Sequence, residues 1–214
     1  MAPVVRVEAL RKRYRRRDPW AVDGVTFALE PGQAFGLLGP NGSGKTSVVK
    51  MIAGLLRPDG GEISLFGSKP GDRSARARLG FSPEDPDFPK FLRAREVLDY
   101  FASLLGLDED DRKRRIPETL AFAGLDQERR EVRQFSKGMK QRLGIAQAIL
   151  GRHKLLILDE PTGDPDPLGR RDVRALIESL KTSGVASLTT SHTLREGERR
   201  CGTVAERGES PEVV

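Results

Sequence analysis

The chain has 214 residues, which is enough for one α/β domain with its own core, or for one domain and a small subdomain. Charged residues make up 32% and hydrophobic residues 37% of the sequence, a balance typical of soluble globular proteins and not of disordered chains. No apolar run is as long as a membrane span and the first residues form no apolar signal region, so we expect any membrane contact to go through a partner. The single cysteine, Cys201, excludes an internal disulfide and favours a cytosolic setting.

The positive charge is concentrated in two basic runs. The net charge is +6, and the runs lie at residues 11–17 and 112–115. Such runs can bind nucleic acid or anionic lipid. Only Tyr14 offers an aromatic ring among these basic residues, so a solvated basic surface is the favoured interpretation and nucleic acid is not an expected partner.

Residues 39–46 have the sequence Gly-Pro-Asn-Gly-Ser-Gly-Lys-Thr and fit the phosphate-binding pattern G-x-x-x-x-G-K-[ST]. The apolar residues 34–38 before them predict a buried strand, and residues 47–56 after them predict a helix that ends before Pro58. This context favours a phosphate site over a glycine-rich turn without a ligand. We expect Lys45 to reach the outer phosphates and Thr46 to hold magnesium. The predicted nucleotide-binding residues of this segment are Gly39, Pro40, Asn41, Gly42, Ser43, Gly44, Lys45, Thr46 and Ser47.

The other predicted elements alternate between strand and helix. Short apolar or alternating runs predict strands at residues 4–7, 25–29, 62–66, 79–82, 155–158 and 186–190. Helical periodicity predicts helices at residues 97–105, 116–123, 137–150 and 168–180. Strands that alternate with helices indicate a parallel sheet. The mainly helical stretch at about residues 89–150 is interpreted as an insert within an α/β domain.

Two acids, Asp159 and Glu160, directly follow the apolar run at residues 155–158. Ligands of parallel α/β sheets bind at the carboxyl ends of strands. On its own, an apolar strand that ends in Asp-Glu is ordinary, but beside a phosphate loop it favours a magnesium site. We expect Asp159 to face the magnesium and Glu160 to polarise an attacking water.

Two further segments each have a structural and a functional interpretation. Ser136 opens a predicted helix, where it can act as an N-cap, or it can bind a phosphate together with Gly138. His192 follows the last clear strand, where it can pack or cap, or it can contact a phosphate.

The order of these motifs resembles that of the ATP-binding cassette (ABC) ATPases, over residues 4–207. The sequence Phe-Ser-Lys-Gly-Met-Lys-Gln-Arg at residues 135–142 resembles the ATPase subunits of bacterial exporters, which pair with a separate membrane permease. The resemblance implies an α/β fold: a P-loop NTPase core with a mainly parallel sheet, a small N-terminal antiparallel β subdomain, and a helical subdomain at about residues 89–150. The chain would then be a single nucleotide-binding domain, residues 1–214.

The resemblance also implies roles for individual residues. Tyr14 matches the aromatic residue that stacks on adenine, with Trp20 as a weaker candidate. Glu84 stands where the family usually has a glutamine that senses magnesium and water, and a glutamate there can also bind the metal. Ser136 and Gly138 match the signature motif, which contacts the γ-phosphate bound by the opposite subunit.

Several positions depart from the family pattern. Lys137 and Met139 replace the commoner Gly and Gln. Asp166 matches the aspartate of the loop that crosses the dimer interface, but Asp164-Pro165 replaces the usual Gly-Leu before it, and proline restricts the backbone there. Residues 201–205 resemble the last strand region of the family, and the end at Val214 is consistent with a compact member or with an incomplete chain.

The function implied is ATP hydrolysis that drives a transmembrane permease, with ATP and Mg²⁺ as cofactors. Lys45, Glu160 and His192 are the predicted catalytic residues, and Thr46, Asp159 and Glu84 are the predicted metal ligands. We expect a homodimer, or a heterodimer with a second ATPase subunit, at the cytoplasmic face of the cell membrane. Two alternatives are an ABC protein that acts on ribosomes or nucleic acid and a nucleotide-binding regulatory module that no longer hydrolyses ATP.

Overall fold

The computed structural model describes residues 2–163, 167–181, 184–192, 203–205 and 212–213. Strands β1 to β9 span Val5–Lys12, Val22–Leu29, Ala34–Leu38, Gly60–Leu65, Leu79–Ser82, Leu155–Leu158, Ala186–Ser191, Thr203–Ala205 and Glu212–Val213. Helices α1 to α6 span Lys45–Ile52, Arg73–Arg76, Ala94–Leu104, Glu109–Phe122, Lys137–Ile149 and Pro167–Lys181, and a 3-10 helix spans Val132–Gln134.

A three-stranded antiparallel sheet, in the order β2-β1-β4, lies near the N-terminus. Val5 and Val7 of β1 are buried, whereas the residues that alternate with them are exposed, as expected for a sheet with one face on the core. A bulge at Ala9, with φ of 44°, shifts the register, and β1 then continues through the basic residues 11–12. β1 is therefore longer than the predicted strand at residues 4–7.

The second sheet has the order β5-β6-β7-β3-β8-β9 among the described residues, and only its edge strand β9 runs antiparallel. All four residues of β6 are at most 3% exposed, as expected for a parallel strand covered on both faces. The register pairs Leu158 with Thr189 and Leu38 with Ser191, so the ends of β3, β6 and β7 lie side by side. The segments that follow these three strands therefore meet at one edge of the sheet.

Helices α3, α4 and α5 pack around their own apolar cluster, which includes Leu98, Leu120 and Leu143. α4 begins seven residues before the predicted start at residue 116. The Asp108 side chain accepts a hydrogen bond of 2.8 Å from the N–H of Asp111, and three acidic residues occupy the first turn. Such a cap and such charges favour a helix start, so the charged end determines where α4 begins.

α1 ends at Ile52, earlier than the predicted end at residue 56. The backbone at Gly54 is left-handed, with φ of 71°, and the N–H of Leu55 donates to the carbonyl of Lys50. This is the glycine-dependent way of closing the last turn of a helix.

α5 packs directly against β5 and the loop that follows β5. A Cβ atom on Gly144 would lie 2.8 Å from both the Ser82 Oγ and the Pro86 Cγ atoms, and one on Gly80 would lie 2.0 Å from the Ala148 carbonyl oxygen. Only glycine permits these approaches. None of the helices within the described ranges is long and apolar enough to cross a membrane.

Candidate functional site

The segment between β3 and α1 forms a glycine-dependent turn that ends at a helix N-terminus. Gly42 and Gly44 have φ of 82° and 95°, and Gly44 immediately precedes the first residue of α1. A Cβ atom on Gly44 would lie 2.4 Å from the Ala21 carbonyl oxygen, whereas one on Gly42 would meet no atom within 4 Å. The turn is therefore packed on one side and open on the other, beside the positive end of the helix dipole.

Lys45 folds back into this turn. Its Nζ atom donates to the carbonyl oxygens of Gly39 and Pro40 at 2.7 and 3.1 Å. The same atom lies 3.3 Å from Oε1 of Glu160. The Lys45 side chain is only 7% exposed, so a positive charge is held inside the turn, where phosphate oxygens would be attracted.

Asp159 is buried at the carboxyl end of β6, with 1% of its surface exposed. Its Oδ1 atom accepts hydrogen bonds from the Thr190 and Thr46 hydroxyls at 2.7 and 3.3 Å. Burial raises the pKa of the Asp159 carboxyl group, and these two hydrogen bonds oppose that shift. A buried carboxylate beside a threonine hydroxyl offers the hard oxygen ligands that Mg²⁺ prefers.

Glu160 lies between a lysine and a histidine. Its Oε2 atom is 2.9 Å from Nδ1 of His192, and its Oε1 atom faces the Lys45 ammonium. The backbone of Glu160 is left-handed, with φ of 44°, a conformation that residues with side chains seldom adopt. The turn after β6 therefore directs this carboxylate into the same site as the phosphate loop.

A cavity of about 390 Å³ connects Lys45 and Thr46 with Glu160, whereas Asp159 and His192 do not line it. Tyr14 and Glu84 are exposed residues at its wall, and the Tyr14 hydroxyl lies 2.7 Å from the Ser47 Oγ atom. The lining residues are Tyr14, Ala21, Asn41, Gly42, Gly44, Lys45, Thr46, Ser47, Glu84 and Glu160. The structure thus brings most of the predicted nucleotide-binding segment together with Tyr14, Glu84 and Glu160.

Other predicted residues lie apart from this cavity. Ser136 caps α5, where its hydroxyl accepts from the Met139 N–H at 3.2 Å, and neither Ser136 nor Gly138 lines the cavity. Trp20 packs against the Arg13 guanidinium, 4.6 Å from the ring centroid, and does not line the cavity. Asp164, Pro165 and Asp166 are outside the described residues.

The donor set resembles that of a magnesium–nucleotide site more than that of an all-protein metal site. Within residues 2–163 and the other described ranges, no group of three or more His, Cys, Asp or Glu side chains is arranged to hold a metal. Mg²⁺ commonly takes one or two protein oxygens and completes its coordination with phosphate oxygens and water. Thr46 and Asp159 fit this pattern.

Sequence reasoning missed Thr190, whose hydroxyl also accepts from the Glu160 N–H at 2.7 Å. A signal existed. Ala186, Leu188 and Thr190 share one buried face of β7, and a hydroxyl at a buried position of a strand needs a hydrogen-bond partner.

Comparison with known proteins identifies the family of the chain. The family model described as ABC transporter matches residues 22–163. An uncharacterized ABC transporter ATP-binding protein of Synechocystis sp. is 43% identical over 184 residues, which cover 85% of this chain and 52% of that protein. The Nod factor export ATP-binding protein I of Ralstonia nicotianae is 40% identical over 206 residues, which cover 93% of this chain and 62% of that protein.

A solved structure of the ATP-binding subunit of an ABC transporter has the same fold. It is 30% identical, and the match has a TM-score of 0.83 and covers 99% of this chain and 90% of that one. The chain spans about half to three-fifths of the length of the two curated relatives. The phosphate loop and the Asp159–Glu160 turn are consistent with these matches. The chain belongs to the ABC transporter family and has the P-loop fold of its ATP-binding subunits.

Proposed function

We propose that this protein binds and hydrolyses ATP and thereby powers a separate membrane permease. The observation that carries the proposal is the position of the Glu160 carboxylate, between the Lys45 ammonium and the His192 imidazole at the mouth of the phosphate loop. A carboxylate held at this point is suited to accept a proton from water beside a terminal phosphate.

Each residue of the site has a distinct task in this proposal. Lys45 and the N-terminus of α1 attract the phosphates, and the Lys45 ammonium would leave the carbonyl oxygens of Gly39 and Pro40 to do so. Glu160 orients and deprotonates the attacking water. His192, in contact with Glu160, steadies the terminal phosphate, and Tyr14 at the cavity wall stacks on the base.

Thr46 and Asp159 are the residues that would hold Mg²⁺, with Glu84 at the cavity wall as a third oxygen donor. When bound, Mg²⁺ supplies positive charge that stabilises the phosphate oxygens during transfer. The protein contributes the orientation of the Asp159 carboxylate, because two hydroxyls hold its Oδ1 atom.

The proposed partners rest on the family of the chain and on two predicted site residues that lie away from the cavity. Ser136 and Gly138 lie outside the cavity, which supports their use on a nucleotide held by another ATPase subunit, in a homodimer or a heterodimer. The Ralstonia relative is named for Nod factor export, and this supports an exporter. We therefore place the protein at the cytoplasmic face of the membrane, bound to a transmembrane permease.

Steady-state phosphate release with ATP and Mg²⁺ tests this function. We expect the purified chain to release phosphate and Glu160→Gln to do so at a rate lower by a factor of about 100 or more. Tight ATP binding without phosphate release by the unaltered chain would instead indicate a nucleotide-binding module. A Glu160→Gln variant as active as the unaltered chain would exclude Glu160 as the general base.

A further inference from the structure

A threonine hydroxyl lies in the apolar interior directly behind the site. Thr190 is 0% exposed, and it follows Ala186 and Leu188 on the buried face of β7. Buried hydroxyl groups are nearly always hydrogen-bonded, because an unpaired one loses its bonds to water. The partners of this hydroxyl therefore indicate what the residue does.

The Thr190 hydroxyl joins the two acidic residues of the site. Its Oγ1 atom donates to Oδ1 of Asp159 at 2.7 Å and accepts from the backbone N–H of Glu160 at 2.7 Å. The directions are fixed by chemistry, because an N–H can only donate and an ionised carboxylate can only accept. A hydroxyl group can donate one hydrogen bond and accept another through the same oxygen atom. Neither a methyl group nor a hydrogen atom at this position could make these two bonds.

The second contact satisfies an amide that the sheet leaves unpaired. The pairing of β6 with β7 ends at Leu158 and Thr189, and the N–H of Asp159 donates to the Ser82 carbonyl at 2.9 Å. The chain then turns at Glu160 into its left-handed conformation. The N–H of Glu160 donates to the Thr190 side chain and not to a strand carbonyl, so this hydroxyl holds the start of the turn.

We propose that Thr190 is a positioning residue for ATP hydrolysis. With one hydroxyl it fixes the orientation of the Asp159 carboxylate and the backbone turn that places the Glu160 side chain between Lys45 and His192. Thr190 does not itself line the nucleotide cavity and acts through the two acids. This inference rests on the proposed function, since it assigns Asp159 to the metal and Glu160 to water.

Paired variants separate the hydroxyl from the rest of the side chain. Thr190→Ser and Thr190→Ala lack the same methyl group and differ in the hydroxyl alone, and Thr190→Val keeps the shape without the hydroxyl. Thr189→Val is the matched control, because this half-buried neighbour is directed to the opposite face of β7. Thermal unfolding of each variant identifies any that do not fold, and the Ser and Ala pair remains comparable if Val does not.

The first measurement is the steady-state rate of phosphate release. We expect kcat to fall by a factor of about 10 or more in Thr190→Ala and Thr190→Val, as for loss of a hydrogen bond to a charged group, with a smaller rise in the KM for ATP. Thr190→Ser and Thr189→Val should keep kcat within about threefold of the unaltered chain. Equal losses in Thr190→Ser and Thr190→Ala, or no loss in either, would overturn the proposal.

The second measurement does not require hydrolysis. A fluorescent ATP analogue is titrated in EDTA and in excess Mg²⁺. In EDTA, we expect all variants to bind alike. In Mg²⁺, we expect Thr190→Ala to gain at least about threefold less affinity than Thr190→Ser, because its Asp159 carboxylate is no longer fixed.

This titration separates failure of the inference from failure of the proposed function. A magnesium effect of the same size in Thr190→Ser and Thr190→Ala overturns the role of Thr190, whether or not the chain hydrolyses ATP. An unaltered chain that binds the analogue but releases no phosphate contradicts the proposed function, while a difference between the two variants in Mg²⁺ still supports the link from Thr190 to Asp159.

Discussion

The Lys45 ammonium lies 3.3 Å from the Glu160 carboxylate, and both side chains are less than a tenth exposed. Each charge is therefore compensated by the other in a place where water has little access. The residue proposed to bind phosphate and the residue proposed to activate water are thus in direct contact with each other. A change at either one leaves the other as a buried charge that has lost this partner.

Lys45→Ala is expected to abolish nucleotide binding, because it removes the buried positive charge of the phosphate loop. A titration with fluorescent ATP measures this, and we expect at least about a hundredfold weaker binding, since hydrogen bonds to charged groups are each worth about 1.5–3 kcal/mol. Lys69→Ala, at an exposed lysine outside the cavity, is the control. Unchanged affinity in Lys45→Ala would remove the lysine from the site.

Glu160→Gln is expected to bind ATP and to accumulate as a closed dimer. The amide keeps the size of the side chain but cannot act as a base, so the nucleotide that joins two subunits would persist. Light scattering with and without ATP and Mg²⁺ measures the mass, and we expect a shift from monomer to dimer that needs ATP. A variant that binds ATP and remains monomeric would argue against the head-to-tail dimer or for a different partner subunit.

Gly80→Ala should destabilise the fold by at least about 2 kcal/mol, as overpacking of a close contact does. Its Cβ atom would lie 2.0 Å from the carbonyl oxygen of Ala148 in α5, and a backbone atom cannot move aside as a flexible side chain can. Gly71→Ala is the control, since a Cβ atom there meets nothing within 4 Å. Urea unfolding compares the two, and equal midpoints would show that α5 can shift away from β5 without cost.

His153 should make the fold less stable in mild acid. Burial lowers the pKa of its imidazole, the charge of Arg115 lowers it further, and a hydrogen bond to the Ala77 carbonyl opposes this. The unfolded chain takes up the proton near the ordinary value of about 6.5, before the folded chain does. The contribution of neutral His153 to the free energy of unfolding is therefore fully present above this pH and decreases as the pH falls below it.

His153→Asn tests this assignment. We expect the decrease in the free energy of unfolding between pH 7.5 and pH 5.5 to become smaller in the variant, because its amide does not titrate. Urea unfolding at several pH values in this range measures the slope. A slope identical to that of the unaltered chain would show that protonation of His153 is not the cause.

The central strands could be predicted from the sequence to the residue. β3 and β6 coincide with the predicted runs at residues 34–38 and 155–158, because a strand covered on both faces is a continuous apolar run, and the edge strand β5 coincides with the predicted run at residues 79–82. The start of α4 and the end of α1 could not be predicted as well. They depend on a cap at Asp108 and on a left-handed glycine at Gly54, which do not alter the apolar pattern.

The candidate site also has a part that the sequence predicts and a part that it does not. The phosphate loop, Asp159, Glu160 and His192 were visible because each follows a strand, and the register of the sheet brings the ends of these strands together. The contacts of Glu160 with Lys45 and of Thr190 with both acids depend on side chains from segments far apart in the chain. Such contacts produce no characteristic residue spacing in the sequence, so only the three-dimensional structure reveals them.

The close contact of Gly144 with Ser82 and Pro86 has a mechanical consequence. Ser136 caps α5 eight residues before Gly144, which corresponds to about 12 Å along a helix axis. A rotation of α5 by about 5° around this contact would displace the Ser136 end by about 1 Å, by the geometry of a rigid rod of that length. Since Gly144 has no side chain, a shift of α5 at this contact would act directly on Ser82 and Pro86, which flank Glu84. A force applied to the helical cluster would then move the signature end of α5 and the Glu84 loop as one coupled displacement.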